Sequence, residues 1–73
     1  MRYIKLKYVP RVSAQMHYAK AVDCYINVSE ITTIQPFDFE IRNNIHSSIL
    51  FSCGHYCEYE ETPEQILKKI REI

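Results

Sequence analysis

The run Cys53-Gly54-His55-Tyr56-Cys57 gathers two thiols and an imidazole, and His46 lies shortly before it. Two chemistries use such residues. Structural zinc takes four Cys or His ligands in a tetrahedral site. The C-x3-C spacing is permitted, but only His55 lies between the thiols, and the one remaining cysteine is the distant Cys24. A hairpin turning at Gly54 would also put Cys53 in or beside the turn and Cys57 on a strand. Free thiols and no metal are therefore expected. The second chemistry is nucleophilic, with Cys53 or Cys57 activated by His46 or His55. It also needs donors for a developing oxyanion and a cleft for substrate. Gly54 is the only glycine in the 73 residues, so no glycine-rich loop supplies such donors. Phosphate-loop, dinucleotide and metalloprotease motifs do not occur. The alternating acids Glu58, Glu60 and Glu61 suit a solvated strand edge that discourages edge-to-edge pairing. A non-enzymatic chain without a cofactor is the expectation.

Binding is the remaining chemistry, and one set of residues fits it: Tyr3, Lys5, Lys7, Arg11, Tyr18 and Tyr25, with His17 among them. Tyrosine rings stack on bases or pack on protein, while Lys and Arg meet anions. Charge is segregated around this set. Residues 1–22 carry Arg2, Lys5, Lys7, Arg11 and Lys20 with no acid, and residues 23–65 carry eight acids against Arg42 alone. The segregation reads either as patches that neutralise one another or as a basic face for an anionic ligand. Net charge is zero, which argues against general binding of duplex DNA, because affinity for polyanions rests on basic excess.

The elements that must position these residues are short. Residues 2–8 alternate, with Ile4, Leu6 and Tyr8 on one face and Tyr3, Lys5 and Lys7 on the other, and Pro10 ends the strand. Residues 11–21 fit either a helical face of Val12, Met16 and Ala19 or an irregular excursion. Residues 22–28 alternate again, and the β-branched run Ile31-Thr32-Thr33-Ile34 continues as a strand that Pro36 interrupts or confines to an edge. Phe37, Phe39 and Ile41 then share a face, before a turn at Arg42-Asn43-Asn44. Residues 48–52 and 55–60 read as a hairpin turning at Cys53-Gly54 or Gly54-His55. Ile49-Leu50-Phe51 is apolar on both faces, as in a central strand or a subunit interface, so Ile49 and Phe51 are candidates for self-association. The ending is the strongest signal. Thr62 is a good N-cap, Pro63 suits the first helical position and Gln65 completes a capping box. Ile66, Leu67, Ile70 and Ile73 form an apolar stripe, and Lys68, Lys69 and Arg71 favour the negative end of the helix dipole.

The stretch Tyr25-Ile26-Asn27-Val28-Ser29-Glu30-Ile31-Thr32-Thr33-Ile34, then Ile49-Leu50-Phe51-Ser52-Cys53-Gly54, then Glu61-Thr62-Pro63-Glu64-Gln65-Ile66-Leu67-Lys68-Lys69-Ile70, resembles the flagellar FlbD-like (swarming-motility) family of very small proteins. The resemblance covers most of residues 22–73. It implies a strand-rich scaffold with a glycine-turn hairpin and a C-terminal helix, and it brings no catalytic residues. It also implies one of two settings: a flagellar accessory protein, or a phage or mobile-element relative. The chain departs from the family pattern in its longer 9–21 segment and in the Cys before the turn glycine.

Taken together, residues 1–73 should form one small α+β domain. Four to six short antiparallel strands, strongly bent or barrel-like, should be closed by a helix over 63–72. No apolar run is long enough for a signal peptide or a membrane span, so a cytoplasmic location without membrane contact is expected. A chain this small has little core and gains stability from a second copy or a partner. The expected function is a protein-interaction module, a homo-oligomer acting as a phage or mobile-element regulator that inhibits a host machine. The competing expectation is an oligomer that sequesters a nucleotide-like small anionic ligand. Flagellar or motility accessory function is the third.

Overall fold

The computed structural model describes residues 2–12, 18–37 and 44–73. Their elements run β1 (Tyr3–Tyr8), β2 (Val22–Asn27), a single 3-10 turn (Val28–Glu30), β3 (Ile31–Pro36), β4 (Ser47–Phe51), β5 (Tyr56–Tyr59) and α1 (Pro63–Arg71). The strands form one antiparallel sheet in the order β2-β1-β5-β4-β3, so the class is α+β as expected. The helix ends at Arg71 rather than at 72.

Two ribbons make the sheet. β1 and β2 pair along their whole length, from Tyr3↔Asn27 to Tyr8↔Val22. The second ribbon is β3-β4-β5. The ribbons join at a corner where Tyr8 faces Tyr59, flanked by Val9 N–H to the Glu58 carbonyl and Glu60 N–H to the Lys7 carbonyl, both at 3.0 Å. Beyond this corner the Lys7 N–H turns to the Glu61 carboxylate instead, at 3.0 and 3.1 Å to its two oxygens. A side chain thus satisfies the donor that a longer β5 would have paired.

β2 and β3 lie at opposite edges of the sheet, yet only Val28–Glu30 separate them. A 3-10 turn rises about 2 Å per residue, so the two edges come within roughly 10 Å of each other there. The sheet must curl to allow this. Among the described residues no ladder joins β2 to β3, so the sheet is curled and open, not a closed barrel. Asn27 fixes the link, its side chain accepting from the Ser29 N–H at 3.1 Å.

The concave face buries Ile4, Leu6, Ile26, Ile49 and Tyr59, and α1 lays Ile66 into the middle of them. The helix touches β1 on one side and β3 on the other, which holds the curl. Its start is fixed by the expected capping box: Gln65 N–H donates to Thr62 Oγ1 at 3.1 Å, and Thr62 N–H donates to Gln65 Oε1 at 2.9 Å. Its apolar stripe is narrower than the sequence suggests. Ile66 and Ile70 face the core, whereas Leu67 and Ile73 are exposed.

Several local expectations change. The hairpin turn is neither Cys53-Gly54 nor Gly54-His55. Gly54 N–H bonds the Phe51 carbonyl at 2.9 Å and Phe51 N–H bonds the His55 carbonyl at 3.0 Å, so Ser52 and Cys53 are the central pair. Gly54 follows them at φ +93°, the left-handed residue that a three-residue hairpin loop needs. β3 carries an irregularity between Ile31 and Thr33, which leaves Thr32 outside the register. Pro36 sits on an edge strand, where its missing N–H costs nothing. At the base of the 9–21 segment Arg11 bridges Tyr18, and Ala19 N–H bonds the Pro10 carbonyl at 2.8 Å. Met16 and His17, the strand expected through Phe39 and Ile41, and the turn residues Arg42 and Asn43 lie outside the described residues.

Candidate functional site

The structure divides the sequence-predicted contact residues between two places. Tyr3, Lys5, Lys7 and Tyr25 share the convex face of the β1-β2 ribbon, because residues alternate across a strand and directly opposed residues point the same way. Lys5 is opposite Tyr25, Lys7 opposite Asp23 and Tyr3 opposite Asn27. Tyr25 is 68% exposed and Tyr3 48%. Lys7 is not a free cation. Its Nζ lies 2.6 Å from Asp23 Oδ1, and the pair raises the lysine pKa and lowers that of the aspartate. Lys5 makes no ion pair among the described residues, so the face presents two tyrosines around one open lysine. The basic N-terminal run is thus partly neutralised within the chain.

Arg11 and Tyr18 lie beyond the end of β1, beside β5. The Arg11 guanidinium sits 5.9 Å from the centre of the Tyr18 ring, and its Nη2 is 3.7 Å from Glu58 Oε1. Tyr18 is half-buried and its hydroxyl is enclosed, so the ring is not an open stacking platform. Of the two residues expected in self-association, Ile49 offers no surface and Phe51 is only half-buried. Ile49 is fully buried and Phe51 packs against the same core, because both lie on the concave face under the helix.

The Cys and His residues scatter. Cys53 and His55 are exposed at the hairpin tip, while Cys57 points from β5 toward the core. His46 Nδ1 is 2.8 Å from the Glu60 carbonyl. Among the described residues no three His, Cys, Asp or Glu side chains gather in a way that could hold a metal. All three cysteines are free thiols, and burial followed by the nearby Glu58 pushes the Cys57 pKa up, which disfavours a thiolate there.

One residue overturns its sequence assignment. Glu58 is not at a solvated edge: β5 is a central strand, and the Glu58 side chain is only 8% exposed. Burial raises its pKa, and Arg11 opposes the shift without cancelling it. Its row runs across three strands, with Gln35 opposite Ser48 and Ser48 opposite Glu58. These three polar side chains line a cleft of about 670 Å³, together with Phe37, Tyr56 and Arg11. Sequence reading missed Gln35 and Ser48 because only the register aligns them with Glu58. The alternation of Cys57, Glu58 and Tyr59 was the one available signal, since an acid between two core-facing residues of a central strand must find cover.

The chain matches no family model, and no curated protein or solved structure is significantly similar to it. No helix among the described residues is long and apolar enough to cross a membrane.

Proposed function

We propose that this chain is a non-enzymatic, cytoplasmic protein-interaction module whose contact surface is the convex face of the β1-β2 ribbon. The observation that supports this most is the exposure of Tyr25 and Tyr3 around Lys5, on a ribbon whose outer strand no other described strand pairs. Aromatic side chains at a patch centre carry a large share of interface energy, and a basic neighbour sets orientation. The open edge of β2 offers N–H and C=O groups to an added strand, and such pairing needs no deep pocket. A second copy of the chain can supply that strand as readily as another protein, which keeps the expected homo-oligomer within the reading. Within this reading the partner is a host machine blocked by a mobile-element regulator or, as the resemblance to FlbD-like proteins suggests, a motility component.

The test is site-specific photo-crosslinking in cells, with a benzophenone amino acid replacing Tyr25 or, as a control, the exposed helix residue Leu67. An adduct of defined mass from position 25 and none from position 67 supports the reading, and its mass separates a second copy from another protein. Adducts from both positions alike, or from neither, would refute it.

A further inference from the structure

We infer that the cleft over β3, β4 and β5 is a binding site for a guanine nucleotide, with Glu58 reading the base and Arg11 holding the phosphate. This goes beyond the protein-contact reading and uses a different surface. The cleft, at about 670 Å³, falls in the size range of small-molecule sites. Its floor is the Gln35-Ser48-Glu58 row. Adjacent strands stand about 4.8 Å apart, so the row presents an amide, a hydroxyl and a carboxylate over roughly 10 Å. Phe37 and Tyr56 lie in the lining and supply aromatic surface for a planar ring.

The carboxylate decides which ring. The Glu58 side chain is more than nine-tenths buried, and its charged partner among the described residues, Arg11, is 3.7 Å away, too far for a hydrogen bond. A buried carboxylate accepts hydrogen bonds and donates none. It therefore favours a ligand with two N–H donors side by side. The guanine edge has such a pair in N1–H and the exocyclic amine, and its neighbouring O6 accepts from Ser48 or Gln35. Adenine puts a bare ring nitrogen where guanine has N1–H, and two acceptors then face each other. Arg11 is about half exposed at the rim, its side chain 46% accessible. Its fork can pass from a long contact with Glu58 to a phosphate, while the base donors replace it at the carboxylate. In the complex the carboxylate accepts from the neutral base donors and the guanidinium donates to the phosphate.

The experiment is calorimetric titration of the whole chain with GMP, AMP and guanosine at neutral pH. GMP should bind at least about tenfold more tightly than AMP, the ratio expected for hydrogen bonds to a buried charge. Guanosine should bind more weakly than GMP, and Arg11→Ala should erase that difference. Glu58→Gln should bring GMP and AMP to equal affinity while keeping a cooperative melting transition. No binding at millimolar GMP, equal affinity for GMP and AMP, or a preference that survives Glu58→Gln would each overturn the assignment. Should Glu58→Gln fail to fold, the loss of the GMP-over-guanosine difference in Arg11→Ala remains decisive: its persistence removes Arg11 and the cleft.

Discussion

Ile66 is the position where the fold is most open to a quantitative challenge. It is fully buried and is the helix residue that fills the concave face among Ile4, Leu6, Ile26, Ile49 and Tyr59. Ile66→Ala removes three carbon groups, worth about 2.4 kcal/mol at ~0.8 kcal/mol each. The helix is pinned by its capping box and by Arg2 Nη2 donating to the Ile70 carbonyl at 3.0 Å, so it cannot slide inward to fill the gap. An unrelaxed void of roughly 60 Å³ adds about 1.4 kcal/mol at ~24 cal/mol per Å³. The sum is about 4 kcal/mol, within the range of about 2–5 found for buried Ile→Ala changes. Stability of about 0.05–0.15 kcal/mol per residue gives a 73-residue domain roughly 4–11 kcal/mol in total, so this one change removes a large part of it. Urea denaturation followed by far-ultraviolet circular dichroism measures the loss. Ile66→Val, at about 0.5–1.5 kcal/mol, gives a graded point that stays folded. Leu67→Ala is the neighbouring control, since Leu67 is 44% exposed and should cost well below 1 kcal/mol. If Ile66→Ala costs no more than Leu67→Ala, the helix does not seal the sheet and the packing argument fails.

Four further outcomes follow from single residues. Gly54→Ala should cost about 1–2 kcal/mol by chemical denaturation, because φ is +93° and the surrounding space is open, so the penalty is in the backbone alone. Gly54→Asn should recover part of it, and equal losses for both would point to packing instead. Thr62→Ala should lose about 0.5–2 kcal/mol through the broken capping box, visible as frayed amide exchange over the first turn of α1. Ser47→Ala should be neutral or stabilising, because the Ser47 hydroxyl is buried with no hydrogen-bond partner among the described residues, and a loss above about 1 kcal/mol would mean that an ordered water satisfies it. Glu58 has a pKa raised by burial, so its contribution to stability is fully present below the ordinary carboxylate range and is lost as pH rises through the raised value. Glu58→Gln should therefore be more stable than the parent at neutral pH, with the gap closing on acidification. A constant gap in denaturation midpoints across that range would show that the charge of Glu58 is not the cause.

The sequence alone determined the local elements. Alternation in residues 2–8 predicted both the strand and its faces, because a half-buried strand places every second side chain in the core: Ile4 and Leu6 are buried while Lys5 and Lys7 are exposed. Thr62, Pro63 and Gln65 marked the helix start to the residue, since capping is a bond between near neighbours. Contacts between distant segments were not legible. The pairing of β1 with β5 at Tyr8 and Tyr59 depends on where two ribbons cross, and it converts Glu58 from an edge acid into a buried one. Lys7 lost its free charge to Asp23 because antiparallel register set them opposite each other. Ile49 and Phe51 looked equally suited to a core or an interface, and only the docking of α1 assigned them to the core. Periodicity and capping act within a few residues, so the sequence carries them directly. Register, burial and the cleft arise from segments tens of residues apart, whose relative placement only the folded chain decides.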